Sequence, residues 1–354
     1  MSEFRKRSIL ILSPEFDQAR ALATWLKRMG AGSHIVGGTL LGDKNAFYPE
    51  RLFDSIISIH DVSDLKEYHT VVPTGSHCTS WMASNWGDFK IGDVSFSKEN
   101  LRVYDKPWLY DFAATIDIPV PETWTEFEVI PDSRRPIFYK PKREGHGGPR
   151  RLSKKRDTVP SYARSRDYLF QEYIPGREVY GYGFIARNGK VLTACQHIEV
   201  ASMPRDGGSA VAVQSVNNIR LEEISRKLLK ALNYEGWGLI EFKHCPRRDD
   251  FVLMELNAKF WASLEFALRS QPVFGHLLFG IDGKRENLQG LFWPDHYMCA
   301  IRGNFLIGFR AAIRLPWAQS KRRSTCRQVL SGILPAPWID YYREKYVFQR
   351  TQVK

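Results

Sequence analysis

Two short apolar segments late in the chain each carry a carboxylate, and this feature constrains the fold more than any other. Residues 238–243 (GLIEFK) and 251–255 (FVLME) predict two β-strands, with a polar turn between them. Side chains alternate along a strand, so Glu255 and Asn257 share one face, and a hairpin brings Glu241 across from them. Carboxylates on apolar strands are costly to bury without a cation. These hard oxygen ligands suit Mg²⁺ bridging nucleotide phosphates. An exposed face of an edge hairpin is the alternative.

The first part of the chain alternates short apolar segments with a helical pattern. Four apolar segments predict strands, at residues 8–12, 34–36, 55–59 and 70–73. Apolar residues recur at helical spacing over residues 15–29, and Gly30 and Gly32 end that helix. The alternation predicts a parallel α/β sheet. The turn after the first strand reads SPEFDQ and has no GxGxxG pattern, so it gives no sign of dinucleotide binding.

The second part of the chain begins after a predicted break near residues 92–98. A helix there ends before Pro119 and Pro121, because a proline cannot continue it. The Asn-Gly step at residues 188–189 is a strong hairpin signal, and residues 221–232 predict a further helix. Hairpins and helices do not alternate regularly here, so this part is predicted to be α+β.

A basic loop containing glycines follows a predicted strand that ends at Lys140. Gly145, Gly147 and Gly148 let backbone N–H groups approach an anion closely, and the lysine adds a point charge. This arrangement suits a polyphosphate, although the loop lacks the GK[ST] ending of a P-loop and a flexible surface loop is the alternative. The later segment FQEYIPG, residues 170–176, stops hydrogen bonding at a proline and can offer backbone groups to a purine edge.

The order of these motifs is more specific than any one of them. Along the chain run Asp105-Lys106, IPVPETW, Lys140 with its glycine loop, FQEYIPGRE, GLIEFK and MELNAKFWASL. This series, over residues 97–278, resembles the ATP-grasp superfamily, and within it the carbamoyl-phosphate-synthetase-like carboxylate–amine ligases.

The resemblance implies a domain organisation. We expect an α/β, Rossmann-like pre-ATP-grasp domain over residues 1–96, then an α+β ATP-grasp fold over residues 97–290. That fold has two lobes, a smaller one at about residues 97–170 and a larger one at about 171–290. A short basic and aromatic extension, residues 291–354, completes the chain.

The resemblance also implies roles for single residues. The nucleotide would be bound by Lys106, Lys140, Gly145, His146, Gly147, Gly148, Gln171, Glu172, Tyr173, Ile174 and Glu178. Within this set the lysines would contact phosphates, the glycine loop would close over them, residues 171–174 would form the hinge that holds adenine, and Glu178 would bind the ribose. One or two Mg²⁺ ions, with Mn²⁺ as the alternative, would be held by Glu241, Glu255 and Asn257.

The implied catalytic residues are Lys259, Arg205 and Ser209. Arg205 and Ser209 flank a Gly-Gly stretch that lies near the acceptor in similar proteins. Family members often read N-P-R after the metal-binding asparagine, whereas this chain reads Asn257-Ala258-Lys259. Lys259 keeps the positive charge of that arginine but loses its bidentate fork.

The implied activity is ATP-dependent ligation of a carboxylate to an amine. The carboxylate is phosphorylated to an acyl phosphate, the amine attacks it, and ADP and phosphate are released. Phosphoryl transfer needs positioning and charge neutralisation more than covalent help, and no Ser-His-Asp or Cys-His arrangement is recognisable. Two alternatives stay open: an ATP-grasp kinase acting on a hydroxyl, and a nucleotide-binding protein without turnover, which Lys259 alone favours.

The net charge narrows the choice of partners. The chain has 51 Lys or Arg and 39 Asp or Glu, a formal charge of +12. Part of the excess positive charge lies in residues 140–156, where it would bind the negatively charged phosphates of ATP. Residues 302–327 carry seven Lys or Arg and no acid. They indicate an acidic cosubstrate, such as one linked to an anionic carrier, or an anionic surface. A nucleic-acid partner is disfavoured because no zinc finger, helix-turn-helix or RNA-binding aromatic signature is recognisable.

Composition also predicts the compartment. The five cysteines form no CxxC pair, which is typical of a reducing cytoplasm. No apolar run approaches the length of a membrane span, and the basic N-terminus has too short an apolar core for a signal peptide. We expect a cytoplasmic enzyme with ATP, a carboxylate and an amine as its small-molecule partners. The extension at 291–354 is a substrate lid, a homodimer interface or a surface-bound appendage.

Overall fold

The computed structural model describes residues 8–30, 34–40, 52–132, 136–144, 150–176, 178–203 and 209–293. These residues fall into two compact units, one within 8–197 and 216–288 and the other within 198–215 and 289–293. The α-helices described are α1 (Asp17–Arg28), α2 (Gly75–Trp86), α3 (Lys106–Thr115), α4 (Ile219–Ala231), α5 (Leu264–Ser270) and α6 (Val273–Phe279). Short 3-10 helices lie at Val62–Glu67, Lys98–Tyr104, Arg156–Thr158 and Ser161–Arg164. Within the described residues, no helix has the length and apolarity to span a membrane.

The first sheet is built from four short apolar strands. They are β1 (Ser8–Leu12), β2 (His34–Thr39), β3 (Ser55–Ser58) and β4 (Thr70–Pro73). The strand order is β3-β2-β1-β4, and every neighbouring pair is parallel. All five residues of β1 are buried, as expected for a parallel sheet covered on both faces. The predicted parallel α/β sheet is therefore confirmed.

A two-stranded hairpin follows α2. Its strands are β5 (Phe89–Ile91) and β6 (Val94–Phe96). Gly92 in the turn has φ +56°, and a Cβ there would lie 2.5 Å from the carbonyl oxygens of Leu277 and Leu278. The Phe96 ring packs 5.0 Å from the ring of Trp237. The sequence did not predict this packed hairpin, and the domain boundary after residue 96 stays a prediction.

The second sheet is antiparallel. Its strands are β7 (Thr123–Trp124), β8 (Ile137–Pro141), β9 (Arg151–Ser153) and β10 (Tyr168–Glu172), in the order β7-β10-β8-β9. Apolar side chains on one face, among them Ile137, Tyr139 and Phe170, form a buried cluster with Ile130 and Val159. This cluster fixes the end of β8, where Lys140 lies.

The remaining strands are β11 (Val179–Arg187), β12 (Lys190–Met203), β13 (Ser209–Ser215), β14 (Gly236–Cys245), β15 (Asp250–Asn257) and β16 (Gly290–Phe292). In the larger unit a third sheet has the order β15-β14-β11-β12, where β12 belongs to this unit through residue 197. In the smaller unit β13 pairs with β16 in antiparallel fashion. The predicted Asn-Gly hairpin is confirmed, since Asn188 (φ 49°) and Gly189 (φ 72°) join β11 to β12. The hairpin of β14 and β15 is likewise confirmed.

Candidate functional site

Lys106 owes its position to a well-formed helix start. It is the first residue of α3, whose cap is Asp105: the Asp105 side chain accepts a hydrogen bond from the Trp108 backbone N–H at 3.1 Å. Pro107 stands in the first turn, where its missing N–H costs nothing. The Lys106 backbone N–H donates to the Lys142 carbonyl at 3.0 Å, which joins this helix to the segment after β8.

The Lys106 side chain is almost fully buried and faces two carboxylates. Its exposed fraction is 3%. Its Nζ lies 2.9 Å from Glu144 Oε2 and 3.7 Å from Glu255 Oε2. A buried ammonium is tolerated where such partners compensate its desolvation.

Lys140 projects from the end of β8 into the same region. It is 4% exposed, and its Nζ donates to the Met254 carbonyl at 3.0 Å and lies 5.4 Å from the centre of the Tyr110 ring. Burial lowers the pKa of Lys140 to about 7, although the nearby Glu255 carboxylate opposes part of this shift. The amine is therefore close to half protonated at neutral pH.

The predicted acidic pair forms at the hairpin of β14 and β15. Glu241 and Glu255 are directly opposite one another, with a register irregularity between Glu241 and Phe242. The Asn257 side-chain amide donates to Glu255 Oε1 at 3.0 Å. Burial opposes ionisation of Glu255, but the cations around it, led by Arg150 and Lys106, hold its pKa well below the usual range. The prediction that Glu241, Glu255 and Asn257 share one side of this hairpin is confirmed.

Glu144 lies at the centre of the cations and was not singled out from the sequence. Its carboxylate receives Lys106 Nζ at 2.9 Å, Arg150 Nη2 at 3.1 Å and Lys259 Nζ at 2.5 Å. Burial opposes ionisation of Glu144, but Lys259 and the other cations lower its pKa to about 2. One signal was available, because Glu144 is the single acid in the basic run at residues 140–156.

Arg150 is the second residue that sequence reasoning missed. Its Nη1 lies 3.8 Å from Glu255 Oε1, while its Nη2 contacts Glu144. The carboxylates of Glu255, Glu144 and Glu241 raise its pKa, so its positive charge is permanent. Arg150 thus brings a guanidinium close to Lys259, since both residues contact Glu144.

These residues form one set, which we call the charged cluster. Its members are Lys106, Lys140, Glu144, Arg150, Glu241, Glu255 and Lys259. Four are basic and three are acidic, so the cluster is nearly neutral by itself. Lys106 and Lys140 are buried, whereas the side chains of Lys259 and Arg150 are 14% and 36% exposed. Basic side chains that converge in this way are suited to binding phosphate groups.

The predicted hinge, residues 171–174, begins at the end of β10. Gln171 is fully buried and its Nε2 donates to Thr123 Oγ1 at 3.0 Å. Glu172 is held by two groups: Oε1 accepts from the Glu122 backbone N–H at 3.0 Å and forms an ion pair with Arg248. Arg248 comes from the turn between β14 and β15, so this ion pair joins the second sheet to the third.

The rest of the hinge is packed differently. Ile174 is buried against Cys245 and Val252. Tyr173 carries Lys243 Nζ at 5.5 Å from its ring centre. Glu178 lies beyond the hinge on the surface, where its Oε2 accepts a hydrogen bond from the Tyr180 hydroxyl at 2.9 Å. The contacts of Glu178 do not reach the charged cluster, and the nucleotide roles of these residues stay predictions.

Several predicted site residues lie outside the described part of the chain. They are Gly145, His146, Gly147, Gly148 and Arg205. Ser209 is the first residue of β13, and its side chain is not described.

The acidic hairpin fits a divalent cation by its own chemistry. Two carboxylates that face each other directly across paired strands repel, and Lys106 and Arg150 beside Glu255 offset part of this repulsion. Mg²⁺ in nucleotide sites is held by one or two carboxylates together with substrate phosphates. Within the described residues, no three His, Cys, Asp or Glu side chains are placed to hold a metal. The metal-binding role of Glu241, Glu255 and Asn257 stays a prediction.

Comparison with known proteins gives matches at the level of structure alone. No family model and no curated protein matches the sequence. Among solved structures, an L-amino acid ligase from Bacillus licheniformis matches with a TM-score of 0.55 at 10% identity, covering 78% of this chain and 75% of that one.

Two further solved structures match similarly well. A biotin carboxylase–β-γ-ATP complex from Campylobacter jejuni has a TM-score of 0.54 at 16% identity, covering 82% of this chain and 74% of that one. A phosphoribosylamine–glycine ligase from Thermotoga maritima has a TM-score of 0.54 at 13% identity, covering 79% and 76%. At these identities the likeness concerns the fold.

Proposed function

Because this chain has an ATP-grasp fold, we propose that it is an ATP-dependent carboxylate–amine ligase that forms an amide through an acyl phosphate. The observation that carries the proposal is the charged cluster. Four basic side chains from three separate stretches of the chain meet beside two facing carboxylates. The three solved structures include an amino acid ligase and a glycine ligase by name, which supports the reaction class.

The cluster supplies what phosphoryl transfer requires. Lys106, Lys140, Arg150 and Lys259 would hold the phosphate oxygens and neutralise charge as it develops on the leaving ADP. Burial of Lys106 and Lys140 keeps their interactions strong, because water screens them little. Lys140 would gain its full charge when the phosphates arrive, because an adjacent anion favours the protonated amine.

The metal fits the acidic hairpin. Glu241, Glu255 and Asn257 would hold one or two Mg²⁺ ions, with Mn²⁺ as the alternative. When bound, the metal supplies positive charge to the phosphate oxygens. The chain's own cations orient the same oxygens.

The reaction balances without a nucleophilic side chain. A carboxylate oxygen of the first substrate bonds to the terminal phosphorus of ATP as the bond to ADP breaks. The amine nitrogen then bonds to the carbonyl carbon, phosphate leaves, and the nitrogen loses a proton to solvent. Exclusion of water from the site would protect the acyl phosphate.

The remaining roles are part of the same proposal. Residues 171–174 would hold adenine through backbone groups, and Glu178 the ribose. Gly145, His146, Gly147 and Gly148 would cover the phosphates, and Arg205 and Ser209 would lie near the acceptor. We propose that the chain consists of a pre-ATP-grasp domain (1–96), an ATP-grasp domain (97–290) and an extension (291–354). We also propose a cytoplasmic location.

An ADP-release screen tests the proposal. The full chain is incubated with MgATP and panels of amino acids, dipeptides and nucleotide-linked acids, and products are identified by mass spectrometry. A ligase releases ADP only when acid and amine are both present, and yields an amide. A stable phosphoester formed without an amine would identify a kinase instead. ATP binding without ADP release from any panel would favour a binding protein without turnover.

A further inference from the structure

Glu144 occupies an unusual place among the cations of the charged cluster. Three positively charged nitrogens lie within 3.1 Å of its two carboxylate oxygens: Lys259 Nζ at 2.5 Å, Lys106 Nζ at 2.9 Å and Arg150 Nη2 at 3.1 Å. Its side chain is only 9% exposed. A single carboxylate held by three converging cations presents to them the same oxygens that a phosphate group would present.

Hydrogen bonds hold the backbone around Glu144 in place, and the side chain is held by ion pairs. The Glu144 N–H donates to the Tyr104 carbonyl at 3.0 Å. Two residues earlier, Lys142 donates to Asp167 O at 2.8 Å and accepts from the Lys106 N–H at 3.0 Å. Rotation about its own side-chain bonds would move the carboxylate away from the cations without movement of β8.

Charge balance favours that departure if a nucleotide binds here. With Glu144 in place, the cluster has three carboxylates against four basic groups. Phosphate oxygens added to this arrangement would meet cations that are already paired. If Glu144 turns toward solvent, three cations become available to the phosphates at once.

On the basis of the proposed function, we propose that Glu144 is an internal substitute for phosphate. Its carboxylate occupies the triphosphate subsite between Lys106, Arg150 and Lys259, and the nucleotide must displace it to bind. Glu144 therefore neutralises the cations in the free protein and weakens the affinity for ATP. It is a residue that sets nucleotide affinity, and it takes no part in the chemical step.

If Glu144 has this role, its removal should change the affinity for ATP in the opposite direction from the removal of a structural or metal-binding residue. Removing a residue that supports the site, or a metal ligand, weakens nucleotide binding. Removing a competitor strengthens it. A hydrogen bond to a charged group contributes enough that releasing even one such contact changes a binding constant by about tenfold.

The test compares MgATP affinity of the full chain and of two variants by calorimetric titration. Glu144→Gln keeps the shape of the side chain but removes its charge. Glu126→Gln is the matched control, because Glu126 is an exposed glutamate outside the cluster and its loss changes net charge equally. We expect Glu144→Gln to bind MgATP about tenfold or more tightly than the wild type, and Glu126→Gln to bind like the wild type.

Two outcomes overturn the inference in distinguishable ways. If the wild type binds MgATP and Glu144→Gln binds it with equal or weaker affinity, the role of Glu144 is refuted and the proposed function still stands. Absence of MgATP binding in every variant refutes the proposed function and this inference together. If Glu144→Gln folds poorly without ligand, Glu144→Asp is used in its place. Aspartate keeps the negative charge, but its shorter side chain reaches the cations less well. The inference requires Glu144→Asp also to bind MgATP more tightly than the wild type.

Discussion

Replacing Lys140 with methionine should change how the stability of the protein depends on pH. The amine is 4% exposed, and burial lowers its pKa from 10.5 to about 7. Methionine has a similar length and no charge. The Met254 carbonyl that Lys140 contacts keeps a hydrogen bond from the Tyr110 hydroxyl at 2.5 Å, so no buried acceptor is orphaned by the change.

The sign and size of the effect follow from proton linkage. Between about pH 7 and pH 10 the unfolded chain keeps a proton on this lysine that the folded chain has released. Stability therefore rises with pH across this window and is lowest below it. Between about pH 7 and pH 9 the wild type gains about 2 kcal/mol of unfolding free energy relative to Lys140→Met. The gain is smaller than the full linkage value because part of the folded protein still carries the proton at about pH 7.

Urea unfolding of both proteins at the two pH values measures this difference. Titrating groups that do not interact with Lys140 contribute equally to both chains and cancel in the comparison. Lys154→Met, at an exposed lysine, is the control for losing a positive charge. If the difference in unfolding free energy between the wild type and Lys140→Met stays constant with pH, Lys140 is not a buried lysine with a lowered pKa.

Two further changes probe the site and the fold. Glu255→Gln should abolish ATP turnover because it removes a proposed metal ligand, and should lower the unfolding free energy by about 3 kcal/mol because it leaves buried cations less well paired. Its circular dichroism should match the wild type, with Glu126→Gln as control, and full turnover would be incompatible with the metal assignment. Gly92→Ala should destabilise the protein by more than about 1 kcal/mol, because its Cβ would meet the Leu277 and Leu278 carbonyls at 2.5 Å in a turn with positive φ; an unchanged urea midpoint would contradict the packed hairpin.

Local sequence patterns predicted much of the fold. The strand β1 is an unbroken apolar run, and the Asn-Gly step sets the turn between β11 and β12, since both signals act over a few residues. The pairing of Glu241 with Glu255 followed from strand alternation and a short turn. Each of these relations links residues that are close in sequence.

The relations that were missed join distant parts of the chain. Lys259 meets Glu144 across 115 positions, and Arg248 meets Glu172 across 76. Side-chain periodicity carries no information about which distant strand ends will meet. A charged residue in a basic run, such as Glu144 or Arg150, looks like ordinary surface until the fold shows its ion pairs.

Thermal unfolding with and without MgATP tests the central claim, that the charged cluster is a nucleotide site, most directly. A ligand that binds only the folded chain stabilises it by about 2.7 kcal/mol at a concentration a hundredfold above its dissociation constant. We predict a clear upward shift of the wild-type midpoint with MgATP, and a shift reduced or lost at the same concentration in Lys140→Ala. An unchanged midpoint at millimolar MgATP, or an equal shift in Lys140→Ala, would contradict a nucleotide site at this cluster.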